Sequence, residues 1–166
     1  MKEKQVLPHQ IASGRMTLLV MIVLTFLNII LYYMNSAISF PYSAFTPYFA
    51  VILGDLLATS IGSSSVIIVF YLVALCCFAI YIIGWFASRK KFGWFIGLTI
   101  FYILDTAFMV YTLFGNSIVD MLIDIALHGV IIYSFVMAAV FYIKEKKRLN
   151  TFSDTIEVID EVSDEK

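Results

Sequence analysis

Val66–Phe86, VIIVFYLVALCCFAIYIIGWF, holds no charged residue and runs almost at once into Arg89-Lys90-Lys91. A helix needs about 20 apolar residues to cross the hydrocarbon core, so this stretch predicts a membrane span ending in a basic turn. Working outward, three more segments qualify: Met16–Met34, Trp94–Phe114 and about Ile118–Ile143. The composition agrees. Of 166 residues, 61% are hydrophobic and 14% charged, against roughly 45–50% and 25% for soluble domains. That excludes a water-soluble globular enzyme, and it excludes a disordered chain, which needs low hydrophobicity. The net charge is −1, with no basic stripe of the kind nucleic-acid binding requires.

The charges fix an orientation. No Lys or Arg falls between Met16 and Ser88 or between Phe92 and Ile143. All basic residues but Lys166 form three clusters: Lys2, Lys4 and Arg15; Arg89, Lys90 and Lys91; and Lys144, Lys146, Lys147 and Arg148. Basic loops stay inside, so both termini and the Arg89–Lys91 turn are expected in the cytoplasm, and both outer loops are free of Lys and Arg. The first span is too long for a signal-peptide core, and no clear small-residue cleavage site follows it.

Residues 1–15 read as a polar, weakly basic arm that offers its charges to anionic headgroups. Residues 35–65 are the one long outer loop. It carries Phe40-Pro41-Tyr42 and Phe45-Thr46-Pro47-Tyr48, then Phe49–Leu57, FAVILGDLL. Thr46 can cap a helix with Pro47 in its first position, and Gly62 can stop it. A helix over about 47–61 is too short to span, so it lies in the outer interface or re-enters the protein. Tight turns at Ser88–Phe92 and Gly115-Asn116-Ser117 make successive spans antiparallel neighbours. Residues 144–166 form a basic juxtamembrane segment and an acidic tail, expected to be disordered and cytoplasmic; Ile156, Val158 and Ile159 could form a short docking motif within it.

The fold class is therefore an all-α integral membrane four-helix bundle, with an extracytoplasmic interfacial or re-entrant helix between spans one and two. Within it, ionisable groups are costly, roughly 2.5–3.5 kcal/mol for a mid-helix Asp. Asp105, Asp124 and His128 thus call for a reason, while Asp120 lies near the wet outer end. Asp124 and His128, four apart, share one helix face. At 1.5 Å per residue, Asn28, Asp105 and His128 fall about 3–5 Å outward of their helix centres, with Asp124 about 11 Å outward. One polar layer results, with an Asp105–His128 hydrogen bond as the preferred contact.

Three roles fit this cluster. It is a proton or cation relay of Asp105, Asp124, His128 and Asn28; a catalytic or metal site at Asp105, Asp124 and His128, although H-E-x-x-H, paired Cys ligands and a nucleophile motif are missing; or structural glue between helices. Cys76 and Cys77 are adjacent, point about 100° apart on a helix and read as small apolar residues. Gly93-x-x-x-Gly97 and Ser134-x-x-x-Ala138 match the small-residue packing pattern weakly. Tyr81, Trp85, Trp94 and Tyr142 sit where interfacial anchors do.

Ala12-Ser13-Gly14-Arg15-Met16, Phe40–Tyr48, Leu104-Asp105-Thr106 and Asp120–His128 resemble a family of small four-span membrane proteins of low-GC Gram-positive bacteria. The resemblance implies an integral protein of the cell membrane and carries over no activity or cofactor. The function expected is transport-related or accessory, with the Asp/His cluster as a proton or cation site. The alternatives are an intramembrane enzyme with a metal or acid/base site and a structural or partner-binding, immunity-type protein. The expected partners are the lipid bilayer and either further copies of the chain or a larger membrane protein.

Overall fold

The computed structural model describes residues 9–113 and 118–164. Five helices follow one another: α1 His9–Tyr33, α2 Phe45–Ile61, α3 Ser64–Ala87, α4 Gly93–Leu113 and α5 Ile118–Asp164. Among the described residues there is no strand. His9–Tyr33, Ser64–Ala87, Gly93–Leu113 and Leu122–Arg148 are long and apolar enough to cross a membrane, and α2 is too short. The protein is thus all-helical and suited to a multi-pass existence in lipid. The exposed faces agree: on α3 only Ala74, Tyr81 and Gly84 are buried, and Ile68, Leu72, Leu75 and Ile83 stand outward. Such a face has no stable arrangement in water.

The helices meet where small residues allow it. A Cβ built on Gly14 of α1 would lie 2.5 Å from the Ala138 Cβ of α5, and the Thr17 and Ser134 hydroxyls are hydrogen-bonded at 3.1 Å across the same seam. Ser134-x-x-x-Ala138 is therefore a packing seam. Gly84 of α3 leaves room for Leu98 of α4, and Gly54 of α2 for Phe70 of α3. Gly93 and Gly97 have nothing within 4 Å of a Cβ position, so that pattern is not a packing site here. One core of Leu18, Met21, Phe95, Tyr102, Ile131 and Phe135 lies between α1, α4 and α5. A smaller one, Ala50, Val51 and Ala74, joins α2 to α3.

Several boundaries differ from the sequence reading. α1 begins at His9 because Ile11 and Gly14 continue its buried face. It takes in Arg15, whose carbonyl accepts the Trp85 indole N–H at 3.1 Å. Tyr81 is no interfacial anchor: it is 1% exposed and packs on Phe101 at 5.1 Å. α2 ends as expected at Gly62, whose φ of 71° suits a residue without Cβ and whose N–H donates to the Ala58 carbonyl at 2.8 Å. α5 continues to Asp164 through the stretch expected to be a disordered tail; no Gly or Pro follows Gly129, so nothing in the chain breaks the helix. Lys2 and Lys4, the turn at 115–117 and the side chains of Asp120, Ile156, Val158 and Ile159 lie outside what the structure describes.

Candidate functional site

After α1 ends at Tyr33, the chain doubles back along it instead of leaving. Asn28 holds the return. Its Nδ2 donates to the Phe40 carbonyl at 2.8 Å and to Ser43 Oγ at 2.9 Å, and its Oδ1 accepts the Phe40 N–H at 2.7 Å. Three residues deeper, the Thr25 hydroxyl accepts the Ala44 N–H at 2.8 Å and donates to the Met21 carbonyl at 2.8 Å. Asn28 and Thr25 lie about 8 and 12 Å along the helix from Tyr33, at 1.5 Å per residue. Both are almost fully buried, where an unpaired backbone group is expensive; the two side chains supply what a helix or sheet would otherwise give.

α2 starts at the bottom of this return. Its cap residue is Ala44, which has no side chain to cap with. Thr46, expected as the cap, is instead the second helical residue. The cap comes from α4: Asp105 Oδ2 accepts the Phe45 N–H at 2.8 Å and Oδ1 accepts the Thr46 N–H at 2.7 Å. The first N–H groups of any helix lack partners, and its N-terminus carries partial positive charge. A carboxylate answers both needs, and Pro47 has no N–H to satisfy. This accounts for a carboxyl group that is 4% exposed.

The Asp105–His128 hydrogen bond expected from the sequence is not formed, because both Asp105 oxygens are engaged by α2. His128 bonds its own helix instead: Nδ1 lies 3.0 Å from the Asp124 carbonyl. A carbonyl only accepts, so Nδ1 carries the hydrogen, and in the neutral ring Nε2 is an acceptor. His128 is 3% exposed, its ring lies parallel to Tyr102 at 5.5 Å, and Nε2 is buried with no hydrogen-bond partner among the described residues.

Asn28, Asp124 and His128 are brought together on one cavity of about 350 Å3. Its remaining walls come from the returning segment at Phe40 and Ser43, from Phe45, Tyr48 and Phe49 of α2, and from Met109 of α4. Asp105 is not among the lining residues; it holds Phe45 in the wall from behind. Phe45 and Phe49 stack at 4.9 Å, and each meets Phe108 edge-on at 5.9 Å. The cavity thus has an aromatic side and a side with a carboxylate and an imidazole, in a protein with no Lys or Arg from residue 16 to 88 or 92 to 143. Among the described residues no group of three His, Cys, Asp or Glu is placed to hold a metal ion.

Sequence reasoning passed over Asp55, Thr25 and Ser43. Asp55 accepts the Tyr71 hydroxyl at 2.8 Å near Tyr32. It sits inside the apolar run FAVILGDLL, so the argument that singled out Asp105 applies to it equally. No family model, curated protein or solved structure matches the chain, and the resemblance to small four-span proteins gains no support from them.

Proposed function

We propose that the chain is a small transport-related or accessory protein of the cell membrane, and that the cavity at Asn28, Asp124 and His128 is a proton or small-cation site. The observation that carries this reading is His128, a buried imidazole anchored through Nδ1 with no partner for Nε2 among the described residues, lining a cavity that Asp124 also lines. Ionisable groups at such depth mark ion paths more often than ordinary packing. In this reading both termini are cytoplasmic, on the side of the three basic clusters, and the cavity belongs to the outer half of the membrane. α2 is a re-entrant half-helix. Support for that comes from its first residues, which meet Thr25 and Asp105 within the bodies of α1 and α4. Asp105 is then a positioning residue for the cavity wall, and Asp124 and His128 meet the proton or cation.

The test is flux into proteoliposomes under an imposed pH gradient. Wild type carries protons or a monovalent cation faster than empty vesicles. His128→Gln and Asp124→Asn abolish the difference while melting at the wild-type temperature. A wild-type rate equal to that of empty vesicles sinks the transport reading, and a rate unchanged in both variants takes the path away from this cavity.

A further inference from the structure

A second hollow, of about 300 Å3, runs along the outside of the α3–α4 hairpin. Ile80, Ile83 and Gly84 form one wall, and Trp94, Gly97 and Phe101 the other. From Trp94 to Phe101 it follows α4 for about 10 Å, at 1.5 Å per residue. Its glycines shape it. Gly84 lets α4 approach through Leu98, whereas Gly97 faces open space. A glycine in a helix interior costs about 1 kcal/mol against alanine, and among the described residues nothing lies within 4 Å of a Cβ position at Gly97 to offset that cost.

The turn at 88–92 joins the two walls, four residues after Gly84 and two before Trp94. There Arg89, Lys90 and Lys91 are consecutive and exposed. None of the three makes an ion pair among the described residues, and no Asp or Glu occurs from residue 56 to 104. Arg89 lies over the Trp85 ring at 4.3 Å and the Phe86 ring at 5.2 Å. Trp94, 54% exposed, stands where the basic turn meets the apolar hollow, the position amphipathic rings take at headgroup level.

We infer that this hollow binds one anionic phospholipid, with an acyl chain laid over Gly97 between the α3 and α4 walls and the phosphate on Lys90, Lys91 and Arg89. An apolar trough between two helices, joined by a turn that carries three cations without an ion pair among the described residues, matches a molecule with an apolar tail and an anionic head. A second copy of this chain fits less well: inserted the same way up, it would bring its own Arg89–Lys91 against these, and like charges facing each other are repelled. The inference needs only that α3 and α4 lie in lipid and is independent of the cavity at His128.

Native mass spectrometry of the full chain in detergent, titrated with phosphatidylglycerol or phosphatidylcholine, tests it. Wild type retains one phosphatidylglycerol in preference to phosphatidylcholine. Lys90→Gln/Lys91→Gln weakens phosphatidylglycerol retention roughly 30-fold, the equivalent of two lysine–headgroup attractions, and leaves phosphatidylcholine unchanged. Gly97→Leu fills the trough and weakens both lipids without lowering the melting temperature. Equal retention of the two lipids by wild type overturns the inference, as does retention unchanged in both variants or a dimer that Gly97→Leu dissolves.

Discussion

Replacing Asp105 with Asn changes one atom of a side chain that is 4% exposed, yet it should lower stability markedly. Asp105 now accepts two backbone N–H groups, at 2.8 and 2.7 Å. Hydrogen bonds to a charged partner contribute about 1.5–3 kcal/mol each. Asn keeps one acceptor oxygen, so one of the two bonds survives in weakened form. The other becomes an amide NH2 facing an N–H, two donors with nothing between them. The charge at the α2 N-terminus is lost as well, about 0.3–1 kcal/mol and more in a buried setting. Against this, a neutral amide is cheaper than a carboxylate to bury. The net is about 2–4 kcal/mol. At roughly 2–4 °C per kcal/mol for a chain of this size, the melting temperature falls by about 4–16 °C. Thermal unfolding in one detergent at one neutral pH, followed by circular dichroism, measures it. Asp105→Ala, which leaves both N–H groups without an acceptor, falls further. A midpoint for Asp105→Asn that is unchanged or raised would refute the capping role and return Asp105 to the candidates for chemistry.

Asn28→Leu keeps the branching of the side chain and removes three hydrogen bonds to the returning segment; about 3 kcal/mol follows at about 1 kcal/mol each, and limited proteolysis should then cut within 34–44, whereas resistance equal to wild type counts against the staple. Gly14→Ala should cost about 1–3 kcal/mol by overpacking the α1–α5 seam, while Gly97→Ala should be neutral or slightly stabilising because nothing lies near its Cβ; equal melting temperatures for the two variants would contradict the packing described. A tag placed after Arg148 should be digested only from the cytoplasmic side of sealed vesicles, and digestion from outside reverses the proposed topology.

The spans were legible because the bilayer imposes a length and a charge rule that any single chain must obey. Val66–Phe86 with Arg89-Lys90-Lys91 carries both signals in one stretch. Gly62 was legible as a stop for the same kind of reason, since a left-handed residue is a local demand. The partner of Asp105 was not. Depth along two helices placed it beside His128, but a third segment, Phe45-Thr46, offered it two N–H groups that are invisible as side-chain types. Every helix start carries such donors, and sequence does not say which acidic residue will find them. The glycine patterns show the same limit. Gly93-x-x-x-Gly97 has the spacing and no neighbour, while Gly14, alone in its helix, meets Ala138, because spacing reports a face and not what lies against it. The extension of α5 to Asp164 was missed because composition weighed the acidic charge and ignored the want of any breaker.

The three anchors of the returning segment close across very different stretches of chain. Asn28 reaches Phe40 and Ser43, 12 and 15 residues on, and Thr25 reaches Ala44, 19 residues on. Asp105 lies 60 residues from Phe45. During synthesis at about 5–20 residues per second, the first anchors are available almost as soon as the segment emerges, while the start of α2 waits about 3–12 s for its carboxylate. The nascent hairpin of α2 and α3 therefore exists for a time with its inner end uncapped, and the arrival of α4 is the step that fixes it. Any factor that holds new membrane segments before release has in this chain a defined reason to hold them until residue 105 has been made.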